Sequence, residues 1–329
     1  MRRGWVVLIA AGGAVLGSAG AAQTGMTEYT RMCNASAAVA VGGGLFVVAD
    51  DEDKAPTPLR LYRIGQRGEP LSETPIPEKI LKLDPDEDSE VDIEGAARIG
   101  DVVYWIGSHS ASGDGKERHN RRRLFATRLR VEGERLTIQR VGKPYKHLIR
   151  DLDASGEYAA FHLKDAAKRE PKSDGALSIE GLASTSDGDL LIGFRNPVPG
   201  GKALVARLKK PQRVVKGRPA RFGKPIQLDL GGLGIRSIER WNDHYVIVAG
   251  RHDGEHNFKL FRWSGDARDA PKVIPGIDLD GLNPEALFFD GDAAYILSDD
   301  GKQPINGTRC EDLPGTERRF RGLRLSPPL

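Results

Sequence analysis

Five stretches of the chain repeat one pattern, and such a repeat constrains the fold more tightly than any other feature of the sequence. Four of them are "DIEGAARIGDVVYWIGSHS", "SIEGLASTSDGDLLIGFRNP", "SIERWNDHYVIVAGRHDG" and "NPEALFFDGDAAYILSDDG", which align with Glu94, Glu180, Glu239 and Glu285 in register. A fifth, "NASAAVAVGGGLFVVADDED", carries Ser36 at that place. Each reads as a short apolar run, a Gly/Asp/Asn turn and a β-rich run. Another strand-like stretch follows each, such as "PLRLYRI" or "FKLFRWSG", and outer strands are expected at "LTIQRVG", "KPIQLDL" and "PKVIPGI". The anchors at 36, 94, 180, 239 and 285 lie 58, 86, 59 and 46 residues apart. Antiparallel units of three or four strands at this spacing predict an all-β fold, a β-propeller, whose closed ring leaves no sheet edge bare. Five blades are expected, with six as the alternative if the long gap hides a degenerate unit. That gap contains "KHLIRDLDASGEYAAFHLKDAAKRE", where the pattern from Glu157 to Glu170 predicts a short amphipathic helix, so a helical insertion is expected near residues 145–172.

The first residues, "MRRGWVVLIAAGGAVLGSAGAAQ", place Arg2 and Arg3 before an apolar run from Trp5 to Leu16, then Ala19 and Ala21 in A-x-A spacing. This predicts a cleaved secretory signal peptide over residues 1–22, since the run is far short of the roughly 20 residues a span needs. Residues 23–329 are then expected to form a single propeller domain, periplasmic or secreted, with no membrane span and monomeric. Loss of the two arginines would reduce the formal net charge of +3 to +1, which argues against a nucleic-acid partner held by overall charge. Cys33 and Cys310 are the two cysteines, and an oxidising compartment favours their pairing. The last unit has a strand at "RRFRGLRL" with little chain after it, so "TEYTRM" is expected to supply its outer strand. A Cys33–Cys310 disulfide would then lock the ring.

The segments "DIEGAARIGDVVYWIGSHS", "SIEGLASTSDGDLLIGFRNPVPGGKAL", "LDLGGLGIRSIE" and "LNPEALF…ILSDDG" resemble the bacterial domain of unknown function family 3616, over roughly residues 33 to 322. The resemblance implies a secreted, propeller-like protein and no particular activity. More remotely, the "IEG" repeats are similar to the esterase-like phytase group and, in architecture, to gluconolactonase-like propellers.

In a propeller blade the start of the innermost strand and the end of the second strand lie on one face of the disc. The repeated glutamates are therefore expected around one channel mouth with Asp50, Asp51, Ser108, His109, Arg195, Asn196, Arg251, His252, Asp299 and Asp300. Carboxylates at an axis repel, by roughly 3 kcal/mol per pair at about 6 Å and an effective dielectric of about 20, so cations must sit among them. Arg195, Arg236 and Arg251 could serve as ion pairs. Alternatively Glu94, Glu180, Glu285 and the Asp299/Asp300 pair could hold Ca²⁺ or Mg²⁺, while His109 or His252 would admit a transition metal. A small anionic ligand is expected against Arg195, Asn196, Arg236, Arg251 and His252. Two readings follow: a metal-dependent hydrolase of a phosphoester, ester or lactone with His109 and Glu180 as catalytic groups, or a non-catalytic ligand- or protein-binding propeller. A third possibility for the glutamates is purely structural, each bonding backbone amides of a neighbouring blade. "DPDEDSEVDIEG" is not an EF-hand, because Ser89 replaces the turn glycine and Gly95 the closing glutamate. "NPVPGGKA" lacks the first glycine and the Ser/Thr of a phosphate loop, and "GSHSASG" has no nucleophile elbow. The basic runs at 116–123 and 207–224 are expected on the surface, the former near the rim where it could steer an anion.

Overall fold

A computed structural model of the protein describes Met1 and residues 22–326. The signal peptide expected over residues 1–22 lies almost wholly outside the described residues. Five four-stranded antiparallel sheets form a five-bladed β-propeller. Blade 1 comprises Ala35–Gly42, Leu45–Asp50, Pro58–Arg63 and Ser72–Pro75; blade 2, Ile93–Ile99, Val102–Gly107, Leu124–Glu132 and Arg135–Tyr145. Blade 3 comprises Ser178–Ser184, Leu190–Asn196, Ala203–Leu208 and Ile226–Leu228; blade 4, Gly234–Trp241, His244–Gly250, Lys259–Trp263 and Lys272–Val273. Blade 5 comprises Pro284–Asp290, Ala293–Ser298 and Arg319–Ser326, and takes its outermost strand, Ala22–Thr30, from the other end of the chain.

The core is divided as a ring requires, with one apolar cluster in each seam between neighbouring blades. Leu61, Val103 and Trp105 fill the seam of blades 1 and 2; Ile106, Ile179 and Ile192 that of blades 2 and 3; Leu191, Ile235 and Ile247 the next; Val246, Leu287 and Ile296 the fourth. The fifth seam closes the ring and is aromatic: Phe46 lies 5.0 Å from Phe288 and 5.2 Å from Tyr29, and Tyr29 lies 5.1 Å from Phe320. Cys33 and Cys310 are disulfide-bonded across it, 277 residues apart.

The insertion between blades 2 and 3 holds two short helices, Leu148–Asp153 and Leu163–Ala166, with a tight turn at Ala159–Phe161. The continuous helix expected from Glu157 to Glu170 is broken at His162, which takes a left-handed backbone (φ 48°). Leu148, Leu152, Leu163 and Ala166 face the blade 2–blade 3 seam and are buried there, so the apolar pattern was real but belongs to two pieces that cap one seam.

One local device recurs in every blade. The innermost strand carries a β-bulge near its start, at Ser36, Glu94, Glu180, Arg236 and Glu285 in turn. A bulge breaks the alternation of side chains and re-aims one of them. Here four of the five bulged residues reach the cavity at the head of the axis. The "IEG" motif is thereby explained. Its isoleucine (Ile93, Ile179) is buried in a seam and its glutamate is the bulged residue. Its glycine is required by close approach: a Cβ on Gly181 would stand 2.8 Å from Ile235 Cγ2, and one on Gly95 2.8 Å from Leu182 Cβ.

The blade 4 register corrects the sequence reading. Glu239 does not occupy the position of Glu94 and Glu180; Arg236, three residues earlier, does. Ile235 and Arg236 match Ile179 and Glu180, and "SIE" at 237–239 only repeats the letters of the blade 3 motif.

A candidate cation and anion site at the channel mouth

The bulged residues of blades 2 to 5 enclose a cavity of about 460 Å³ with Asp51, Asp92, Ser108, Asn283 and Asp299. Below them the axis narrows to about 10 Å³ between Ala38, Ala96, Leu182 and Leu287. The site is therefore a cup set in one face of the disc.

Its floor is a chain of alternating charge. Arg236, 2 % exposed, donates from Nη1 to Glu180 Oε1 at 3.3 Å and stands 3.1 Å from Glu180 Oε2. Its Nη2 donates to Glu285 Oε1 and, at 3.1 Å, to Asn283 Oδ1. Arg195 Nη1 donates to Glu180 Oε1 at 2.7 Å. Asn283 Nδ2 donates to Asp299 Oδ2 at 2.9 Å, and the Gly301 amide donates to Asp299 Oδ1 at 2.9 Å. Ser36 Oγ donates to Glu94. On the opposite wall Arg121 pairs with Glu90 at 2.6 Å and with Asp92 at 3.0 Å.

These cations do not neutralise everything. Asp51, Glu94 and Glu285 bring one carboxylate oxygen each within 4.8 Å of one another. At that distance and an effective dielectric of about 20, each ionised pair repels by roughly 3.5 kcal/mol. Burial, then the neighbouring carboxylates, pushes Asp51 and Glu94 well above the usual carboxylate range. Burial likewise lifts Glu285 to about 8, against the pull of Arg236. Asp51 Oδ1 and Glu285 Oε2 are buried without a hydrogen-bond partner. Carboxylate oxygens gathered this closely are the donor type a hard divalent cation takes, with water completing its shell.

The remaining wall carries both signs: Lys172, from the end of the insertion, and Lys302, just after Asp299, line the cup with Glu52, Glu170 and Glu311. Burial, then the charge of Lys302, with smaller contributions from Arg195 and Arg236, holds the Lys172 ammonium below its usual range. Lysines and arginines beside a carboxylate triad can hold an anion next to a cation.

Among the residues expected at the mouth, Glu94, Glu180, Glu285, Arg195, Arg236, Ser108, Asp51 and Asp299 line the cup. Others do not. His109 is fully buried and faces a different cavity. Asp300 is held on the far side by Arg321, whose Nε donates to Oδ2 at 2.8 Å and Nη2 to Oδ1 at 2.7 Å, and by Ser298 at 2.7 Å. Asn196 spends its amide on Pro171 O and Ser173 O, tying down the insertion. Arg251 is exposed and pairs with Asp253, and His252 stands outside while Gly254 and His256 of the same loop line the wall. Asp50 is buried beneath the rim, pushed up to about 7 by burial and Asp53. Glu239 sits away from the cup and is lifted to about 8 by burial. Lys172, Lys302 and His256 were not anticipated. Lys302 was the most accessible of these, lying three residues beyond Asp299, whereas Lys172 arrives from an insertion whose path no repeat could predict.

No helix among the described residues is long and apolar enough to cross a membrane. None of the curated proteins matches the sequence. Among solved structures the chain is similar to a proposed oxidoreductase (glucose dehydrogenase) from Thermus thermophilus, with 17 % identity, 92 % of this chain and 100 % of that one covered, and a TM-score of 0.42. It is similar to a protein of unknown function from Dyadobacter fermentans at 11 % identity, covering 94 % and 100 %, TM-score 0.44. It is also similar to Bacteroides ovatus Xyloglucan PUL GH43B at 12 % identity, covering 89 % of this chain and 52 % of that one, TM-score 0.49. Likenesses this distant carry no functional information. The family model described as Protein of unknown function (DUF3616) matches residues 34–170 and 145–280, which together span most of the propeller, and the chain belongs to that family.

Proposed function

We propose that the cup holds a divalent cation on Asp51, Glu94 and Glu285 and works on a small anionic ester, which makes the protein a metal-dependent hydrolase of the phosphoester, ester or lactone type. The observation that carries this reading is the triad itself: Asp51, Glu94 and Glu285 each bring a carboxylate oxygen within 4.8 Å of the others, and Asp51 Oδ1 and Glu285 Oε2 are buried without a hydrogen-bond partner. The grouped donors are all carboxylate oxygens, a set that selects Ca²⁺ or Mg²⁺. A bound divalent cation would supply Lewis-acid polarisation and a water of lowered pKa. The chain's own groups would do the rest. Lys172, Lys302 and Arg195 would orient the substrate's negative charge above the metal. Arg236, locked between Glu180 and Glu285, would fix the orientation of Glu285 as a ligand. Glu180, already engaged by two arginines, acts in this reading as a positioning residue and not as the base. The disulfide supports export to an oxidising compartment, the periplasm or the medium.

The test is metal analysis of protein purified without chelators, followed by thermal melting with Ca²⁺ or Mg²⁺ and a phosphoester and lactone screen. A cation present at 100 times its Kd should add about 2.7 kcal/mol of stability. Glu285→Gln and Asp51→Asn should remove that gain together with any turnover. A gain in melting temperature without turnover of any ester would leave a cation-dependent binding module, and no gain with either metal would end the proposal.

A further inference from the structure

The segment 108–110 is a partition between two cavities. Ser108 and Ser110 line the cup, while His109 between them, in a left-handed backbone (φ 58°), lines a separate cavity of about 490 Å³. The basic run divides the same way: Arg121 faces the cup, Arg122 and Arg123 the second cavity. That cavity lies between blade 2 and the helical insertion, which contributes Lys146, Arg150, Lys164 and Lys168.

Several of these cations already have partners. Arg122 pairs with Glu117, Arg150 with Asp151 and Lys168 with Asp165. Arg123, Lys146 and Lys164 form no ion pair among the described residues. Arg123 is 1 % exposed, and all five of its N–H groups are spent on neutral acceptors: Leu81 O at 3.0 Å, Lys82 O and Arg122 O at 3.2 Å, Asn120 Oδ1 at 2.7 Å and His119 O; it gives the wall positive charge but no free donor. Lys146 Nζ likewise donates to Lys82 O. The one acid on this wall without a cation of its own is Asp84, whose carboxylate accepts from the Asp86 amide. Three cations, Arg123, Lys146 and Lys164, face this one carboxylate, so the wall is net positive and the cavity retains a demand for negative charge. Burial holds Arg123 down at about 10, and Lys146 below its usual range by burial and then Arg123.

His109 adds a second requirement. Its Nδ1 lies 2.8 Å from Gly107 O, so Nδ1 carries the proton and donates. Nε2 is then a lone-pair acceptor, and it is buried without a partner. A ligand that satisfies this wall must bring both negative charge and an O–H or N–H group. The volume lies in the range of small-molecule sites and far exceeds that of a bare oxyanion.

We propose that this cavity is a second binding site, independent of the cup, for a small phosphorylated polyhydroxy compound of the sugar-phosphate class. The phosphate rests against Lys146 and Lys164, and a hydroxyl donates to His109 Nε2.

Calorimetry on the intact protein with glucose 6-phosphate, glucose and inorganic phosphate, all in the presence of EDTA, tests it. Glucose 6-phosphate should bind at least about tenfold more tightly than either fragment, the worth of one hydrogen bond to a charged group or more. Lys146→Gln, on a partly exposed side chain, should weaken it by about tenfold or more, and His109→Asn should erase its advantage over inorganic phosphate. If His109→Asn does not fold, the Lys146→Gln and Lys164→Gln double variant decides. No binding of glucose 6-phosphate at millimolar concentration, binding unchanged by the double variant, or binding abolished by Glu285→Gln would each overturn the proposal. Because EDTA removes the cation of the cup, success here and failure of the hydrolase reading remain distinguishable.

Discussion

Arg236 stands in blade 4 where Glu180 stands in blade 3: each is the bulged residue of its innermost strand, and the two meet as an ion pair at 3.1 Å. A ring of five identical bulges would have placed five like side chains at one mouth. Substituting arginine at one of them gives its neighbours Glu180 and Glu285 one cation to share at close range. The remaining imbalance collects at Asp51, Glu94 and Glu285, the place of the cation proposed above.

Arg236→Met should therefore be among the most damaging single changes in the protein. It leaves two buried carboxylates facing each other, and removing one partner of a buried ion pair costs about 3–5 kcal/mol. The loss, read from urea denaturation midpoints, should be larger at pH 8 than at pH 5, where the stranded carboxylates take up protons. Equal losses at both pH values would show that packing and not charge is what Arg236 provides.

Glu239 should behave in the opposite way. Burial raises its folded pKa to about 8, above the usual value near 4.3 for an unfolded chain. The folded state thus binds more protons than the unfolded state between these limits, and this group's contribution to stability is present at low pH and falls as pH rises towards 8. Glu239→Gln should leave the melting temperature little changed at pH 5, raise it at pH 8, and leave cation binding intact at both.

Gly181→Ala should destabilise the seam of blades 3 and 4 without touching any charged group. The added methyl would lie 2.8 Å from Ile235 Cγ2 and 2.9 Å from Ile238 Cγ2, and overpacking of this kind costs about 1–3 kcal/mol. The double variant Gly181→Ala, Ile235→Val should recover part of the loss in a denaturation series.

Reduction of the Cys33–Cys310 bridge should lower the melting temperature sharply. A loop of 277 residues gives about 5.6 kcal/mol in the chain-entropy treatment, as an upper bound. Thiol labelling of denatured, unreduced protein should find no free cysteine, and Cys33→Ser should melt like the reduced protein.

Much of this was legible in the sequence because it repeats. Five repeated strand pairs pointed to five blades, and the strand at 318–325 without a following partner pointed to residues near Tyr29 as its neighbour. The bulges were not legible, since a bulge is one extra residue in a pairing that only the partner strand reveals. That is why Glu239 was aligned with Glu180: Ser237, Ile238 and Glu239 copy the letters of Ser178, Ile179 and Glu180, while Ile235 and Arg236 hold the structural place. His109 was misplaced for a related reason. Strand ends point to the correct face of the disc, but its left-handed backbone turns the ring through the wall into the neighbouring cavity.

The last blade's borrowed strand also sets an order of events. During synthesis Ala22–Thr30 emerges before any other described strand, yet its partner Arg319–Ser326 emerges last. Until then the opening segment has only blade 1 to hold, where the Thr30 amide donates to Gly68 O at 2.9 Å and Tyr29 packs on Phe46, and Tyr29 has no Phe320 to stack on. Blades 1 to 4 can assemble beforehand, but the circle cannot be completed by a chain still being made. The closing strand pair is therefore the last the chain can make, and a chain clipped of either strand would present the free sheet edge along which another copy could pair.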